Sequence, residues 1–259
     1  KYPELRLHRE DWRITRRDVT RHLIQGIPLG LQFSVLAIGI IVMQSVIVQF
    51  DTLGGEMVSN AAQNGFGAAN KLNNLLMTPL NGLGAAMTSF TAQNLGAGDH
   101  ARIKKGTVQA LIIVWTMCLI SIAAGLLLSR GGGYLYIFLS PDKVTAETMR
   151  YGNTYLYVDL SLYLFLGFIF VVRNCVQGIG KPQFVLGAGA AELAARVSVC
   201  LLLPPLIAGG AVNSDAPRAA VYALCFADPF AWMAADAVLL VPFLRNIMKM
   251  DYRYLKGTM

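Results

Sequence analysis

Asp159, Glu192, Arg196, Asp228 and Asp236 stand inside long apolar stretches where water is scarce. A charge at the centre of a bilayer costs about 2.5 to 3.5 kcal/mol on insertion scales, so each of them requires a reason. Asp159 lies nine residues inward from Arg150, which along a helix is about 13 Å and places it near mid-membrane if the stretch crosses one. There it could exchange a proton, offer a hard oxygen to Na⁺ when ionised, or touch a substrate. The structural alternatives are an ion pair with Lys71 or exposure at the outer interface. Glu192 and Arg196 stand four residues apart in the order that favours a helical ion pair, a structural role. Asp228, beside Pro229, reads as a helix-start cap near the outer end of its stretch. Asp236 shares its face and either borders a cavity or packs.

Amides and rings complete the candidate set. Gln32 and Gln44, together with Asn70, Lys71, Asn73 and Asn74, could line a polar cavity between helices. Tyr151, Tyr155, Tyr157, Tyr163, Phe165, Phe168 and Phe170 crowd one stretch. Some could hold organic cations by apolar contact and cation-π attraction, while most pack or face lipid. Other chemistry is poorly served. YVDL at 157–160 and GIGKP at 178–182 superficially resemble intramembrane aspartyl proteases, but such an enzyme needs a second Asp and Lys181 stands in its place. G-x-S-x-G, H-E-x-x-H and P-loop patterns do not occur, so an enzyme is not expected. His8, His22 and His100 have no paired spacing, and Cys118, Cys175, Cys200 and Cys225 form no C-x-x-C, so no metal site is expected.

The elements that must position these residues follow from composition. The 259 residues are 55% hydrophobic and 14% charged, with a mean hydropathy of +0.50. That is too apolar for an ordinary soluble domain and fits an all-α polytopic membrane bundle. The net charge of +7 could suggest nucleic acid, but Lys and Arg cluster between apolar runs, so topology accounts for them and no nucleic-acid partner is expected. Six spans are expected near 27–50, 58–94, 106–128, 151–178, 184–209 and 219–244, each near or above the roughly 20 residues that cross a bilayer. The second is long, and Gly65, Gly67 and Pro79 predict a bent or broken helix.

Loop charge predicts orientation. Residues 1–26, the turn Arg102 to Lys105, the loop at Lys181 and the tail with Arg245, Lys249, Arg253 and Lys256 carry most of the basic residues. The alternate loops carry Asp51, Glu56, Asp142, Glu147 and Asp215, so both termini are expected to be cytoplasmic. Residues 1–26 read as a cytoplasmic linker or surface helix, with Thr15 and Asp18 as a capping box. Anionic lipid binding is the functional alternative. Residues 27–248 read as the transmembrane domain and 249–259 as a cytoplasmic tail. Because the chain begins with Lys1 and shows no signal peptide, a segment cut from a longer polypeptide is expected.

Specific motifs then suggest a family. The first span GIPLGLQFSVLAIGIIVMQSVIVQFDTLGG and the second span's end TAQNLGAGDHARIKKG resemble the C-terminal half of a MATE (multidrug and toxic compound extrusion) transporter. VVRNCVQGIGKPQF at 171–184 is similar to the Arg-Gly-x-Gly turn these proteins place between their tenth and eleventh helices. GAAELAARVSV around Glu192 and FADPFAWMAADAVLL around Trp232 resemble the last two helices. Within the second span, Pro79, Gln93, Asn94, Gly96 and Gly98 carry the structural motif, a helix that packs closely and then turns at the cytoplasmic face.

The resemblance implies one six-helix lobe of a twelve-helix exporter working by alternating access in the plasma (inner) membrane, with residues 1–26 as the inter-lobe linker. It implies a cationic, amphipathic small-molecule substrate or drug, H⁺ or Na⁺ as coupling ion, no resident cofactor, and the other lobe as partner. A single lobe is not expected to transport, because the cavity lies between lobes. Sodium-coupled relatives carry a Glu eight residues after the first-span Pro, where Leu36 stands here. They also carry an Asp matching the region 163–166, which begins at Tyr163 and lies four to seven residues beyond Asp159. A proton-coupled mechanism with its acid on the other lobe fits equally. The rival readings are a lipid-linked sugar flippase of the wider superfamily, which needs several cavity Lys or Arg for pyrophosphate, and a half-size subunit acting as a homodimer.

Overall fold

The computed structural model describes residues 14–249, so Lys1, Arg6, Arg9 and Arg13 of the expected linker, and Arg253 and Lys256 of the tail, lie outside it. The fold is a helical membrane bundle. Its elements run α1 (Arg16–Gln49), a hairpin of β1 (Thr52–Leu53) and β2 (Glu56–Met57), α2 (Ala61–Gly96) and α3 (His100–Ser129). They continue through the short α4 (Leu135–Phe138), α5 (Ala146–Ser161), α6 (Tyr163–Gly178), α7 (Pro182–Ala208), α8 (Arg218–Cys225) and α9 (Ala227–Pro242). The chain leaves α9 through one wide turn, Phe243–Met248.

By length and composition α1, α3, α7 and the run α8–α9 can cross a membrane, and the bent pair α5–α6 makes a fifth span. The expected second span, α2, is long enough at 36 residues but carries too many Asn, Gln and Gly to match their apolarity. Its buried face mixes Phe66, Leu72, Leu80 and Met87 with many small or polar residues, among them Ala61, Gly65, Ala68, Ala69, Asn73 and Gly84, and small residues allow close helix packing in the middle of the bundle.

Small residues explain how α2 sits there. A Cβ on Gly65 would collide with the Thr148 carbonyl, and one on Gly152 would come within 2.8 Å of the Gly65 carbonyl, so α2 and α5 cross backbone to backbone. Lower down, Gly84 lies under Asn174 and Gly178 under Thr88 and Thr91, bringing α6 equally close. The fourth expected span is broken at Leu162, where α5 and α6 meet at 57°. α7 packs between α1 and α9 on the other side. Ile112, Leu119, Ile120, Leu202 and Leu206 are exposed on the outer surfaces, as lipid contact requires.

Several boundaries differ from expectation. α1 begins at Arg16, capped by Thr15 and Asp18 as read, and runs through Pro28 without a break. The expected bend or break in the second span is not a break, because α2 passes through Pro79 as a single helix. Arg102, Lys104 and Lys105, expected in a loop, already belong to α3. The turn itself is only Ala97 to Asp99. The Ala97 N–H donates to the Gln93 carbonyl, the Asp99 N–H to the Asn94 carbonyl, and the Asp99 carboxylate caps Arg102. Gly96 ends α2, and Gly98 has φ +72°, which a glycine adopts freely. Buried Asn94 donates its amide to the Phe90 carbonyl.

At the opposite end, the hairpin turns through Gly54 and Gly55, both at positive φ. Asp51, just before it, is fully buried. Its carboxylate oxygens accept the Ala62 and Gln63 N–H groups at 3.0 and 2.9 Å. Those N–H groups have no intrahelical partner at a helix start, so Asp51 caps α2 from ten residues upstream of the helix.

Candidate functional site

Five helices contribute to one tract of buried polar side chains, Asp159 with Asn73 on one side and a chain from Tyr155 to Arg173 on the other, meeting where the Tyr155 hydroxyl adjoins Asp159. Asp159 sits one turn before the break between α5 and α6 and is fully buried. Its Oδ2 accepts the Asn73 amide of α2 at 2.9 Å, while Asp159 Oδ1 and Asn73 Oδ1 have no protein partner. Tyr155, one turn earlier on α5, donates its hydroxyl to Asp228 Oδ2 of α9 at 2.7 Å. Asn70 donates to the same hydroxyl at 3.4 Å. Asp228 Oδ1 accepts Arg196 Nε of α7 at 2.8 Å, and Arg196 also meets Glu192 at 3.4 Å. Glu192 accepts Arg173 of α6 at 2.7 Å, which ends the tract.

The arginines are held by complementary space as well as charge. The Arg196 side chain lies against Gly39 of α1, where a Cβ would approach Nη1 to 3.1 Å. With Arg173 on Glu192 and Arg196 on Asp228, those four charges cancel pairwise. Burying a charge is tolerable only with such a partner. Among the described residues, Asp159 forms no ion pair.

The tract borders a cleft of about 460 Å³, a size common for small-molecule sites. Gln32, Gln44, Asn70, Asn73 and Asn74 line it, and so do Arg173, Arg196, Asp228 and Trp232. Asp159 lies one layer back, behind Asn73. Tyr163 is also behind it: its hydroxyl donates to the Asn73 carbonyl at 3.5 Å and its ring meets Trp232 edge-on at 6.3 Å. It does not line the cleft, and neither does Asp236, whose Oδ1 has no protein partner.

Two readings are corrected. Lys71 is exposed and pairs with neither Asp159 nor any other described carboxylate. Asp228 is not a helix-start cap, since α8 and α9 form one span around it and its side chain makes no capping bond. Glu192 and Arg196 do pair, but as the middle of a four-charge chain. Arg173 and Asp228, missed or misassigned, share one signal: each intramembrane charge needs a partner, and the local i,i+4 pair left these two unassigned, while the Tyr155 hydroxyl had no comparable signal.

The MatE family model matches residues 37–202. This chain belongs to the MatE family. Over 174 residues it is 30% identical to the probable multidrug resistance protein YpnP of Bacillus subtilis (strain 168), covering 62% of this chain and 33% of that one. A MATE transporter solved in complex with MaL6 superposes with TM-score 0.71 at 17% identity, covering 94% of this chain and 51% of the other. An outward-facing multidrug resistance MATE family transporter of the MOP superfamily gives 0.73 at 17%, with 94% and 50% covered. A MOP superfamily transporter from Pyrococcus furiosus gives 0.68 at 14%, with 90% and 46% covered. The chain thus spans about a third of the curated relative and about half of these structures. It has the fold of one MatE lobe, and the relatives point to a transporter rather than an enzyme.

Proposed function

We propose that this MatE chain forms the second lobe of a secondary exporter that expels small amphipathic molecules, organic cations and drugs among them, in exchange for H⁺. The partner is a first lobe facing the same cleft. The membrane is the plasma (inner) membrane with both termini cytoplasmic, a reading supported by the basic residues Arg16, Lys104 and Lys181 at helix starts on one end of the bundle.

The observation that carries the reading is the fully buried Asp159, whose Oδ1 has no partner, hydrogen-bonded to an Asn73 whose own Oδ1 has none. The two groups are already joined through Asp159 Oδ2 and Asn73 Nδ2. A proton on Asp159 Oδ1, donated to Asn73 Oδ1, closes an acid–amide pair and satisfies both buried acceptors. Release of that proton reopens it. Because the break at Leu162 is adjacent, the change acts where α5 and α6 can move against α2. Na⁺ is the weaker candidate: it needs several oxygen ligands, whereas both Asp228 oxygens are taken by Arg196 and Tyr155. A pyrophosphate-binding flippase is also less supported, since Arg173 and Arg196 are both engaged with carboxylates and Lys71 does not line the cleft.

The test is efflux in vesicles from cells expressing the complete coding sequence that contains this chain, with H⁺ and Na⁺ gradients imposed separately. An H⁺ gradient is expected to drive efflux, and Asp159→Asn to abolish it while leaving membrane insertion intact. Unchanged efflux in the variant removes Asp159 from the mechanism.

A further inference from the structure

The cleft's carboxamides are oriented, and their orientation bears on what the exporter selects. Asn74 donates its amide to the Asn70 carbonyl at 2.9 Å, Asn81 to the Met77 carbonyl at 3.4 Å, and Asn73 to Asp159. Backbone carbonyls and carboxylates accept only, so these bonds fix which end of each amide points inward to the protein. Asn74 spends its N–H₂ on the backbone and side-chain oxygens of Asn70 and Asn81 spends one N–H, and no described protein donor reaches the oxygens of Asn74 or Asn81. Gln32 adds a further one: it is 3% exposed, borders the cleft, and its Oε1 has no partner. Meanwhile both carboxylates on this wall, Glu192 and Asp228, are held by arginines.

We propose that this wall of the cleft is a hydrogen-bond acceptor surface, which selects substrates by N–H or O–H donors rather than by net positive charge. The proposal rests on the exporter reading above. Protonated amines, anilines, guanidines and hydroxylated amphiphiles satisfy the three oxygens of Gln32, Asn74 and Asn81. A quaternary ammonium or fully alkylated amine of equal charge and shape leaves them unpaired on losing water. A buried acceptor left unsatisfied weakens binding by roughly tenfold.

Proflavine and acridine orange test this, because both are acridine cations but the second carries methyl groups where the first carries amine N–H donors. Their binding to the purified full-length protein is followed by quenching of tryptophan fluorescence, Trp232 being in the cleft wall, and their efflux is followed in vesicles. Proflavine is expected to be favoured about tenfold in both assays. The preference should fall to about twofold or less in Asn74→Leu/Asn81→Leu, whose positions are exposed and not part of the buried tract. Equal handling of the two dyes by the unaltered protein overturns the proposal without touching the exporter reading, as does a preference that survives the double substitution. Donor-selective binding without gradient-driven efflux of either dye sustains the acceptor wall and sinks the exporter reading.

Discussion

Asp51 and Asp159 are both completely buried carboxyls in contact with α2, yet they are satisfied in opposite ways. Asp51 holds two backbone N–H groups, one on each oxygen, at a helix start whose dipole favours its charge. Every demand it makes is met within the fold. Asp159 has one amide on one oxygen and nothing on the other. It sits where a span is broken rather than where a helix begins. A carboxylate with a complete set of fixed donors is cement, since changing its protonation breaks bonds. One with a free oxygen, bonded to an amide whose own oxygen is free, can take up a proton without losing a protein hydrogen bond, as the proposed coupling requires.

The largest effect should come from the tract that separates the two kinds of site. Arg196→Met strands Asp228 and half of Glu192 as buried charges, and breaking such a pair costs about 3 to 5 kcal/mol. Thermal unfolding in detergent should show it as loss of folded protein. Arg196→Met/Asp228→Leu should recover a large part of that loss, because the uncompensated charge goes with its partner. If the double variant is no better than the single, the Arg196–Asp228 pair is not what holds α7 to α9. Next comes Asp51→Ala, which leaves two N–H groups of α2 unpaired and should cost roughly 2 to 3 kcal/mol. Asp51→Asn, keeping one acceptor, should lose about half as much. In either variant the folded fraction should retain its ion-coupled efflux; coupling lost out of proportion to folding would erase the distinction from Asp159. A smaller loss, about 1 kcal/mol, is expected for Gly98→Ala, whose positive φ an L side chain resists. It should be seen in the unfolding midpoint alone.

Much of this was readable from residue order, and the rest was not for a definite reason. The helical bundle followed from apolar run lengths, and the turn at Gly98 from its own residues, because those signals are local. The Glu192–Arg196 contact was local too. Arg173 with Glu192, Arg196 with Asp228, and Asn73 with Asp159 join helices 19, 32 and 86 residues apart, and no periodicity encodes such separations. Asp51 was counted only as a loop acid favouring the outer side, since a cap ten residues from its helix leaves no capping-box spacing. The break at Leu162 was missed because residues 151–178 contain no proline.

The smallest predicted change in stability distinguishes the two acids most directly. Asp159→Asn keeps an oxygen to accept the Asn73 amide and places an N–H₂ beside the Asn73 oxygen that has no partner. Two carboxamides can then close the pair that, in the proposed mechanism, a proton closes. The unfolding midpoint should therefore move by less than the equivalent of about 1 kcal/mol, in either direction. Asp51→Asn cannot be so mild, because its new N–H₂ would face a backbone N–H, donor against donor. Measured side by side in the same detergent, the two isosteric substitutions should rank with Asp51→Asn the more destabilising. A loss at Asp159 of more than about 2 kcal/mol would place it with Asp51, as an acid whose charge the fold itself requires. A near-silent substitution that nevertheless stops efflux leaves only the free oxygen, and the proton it takes, to account for the loss.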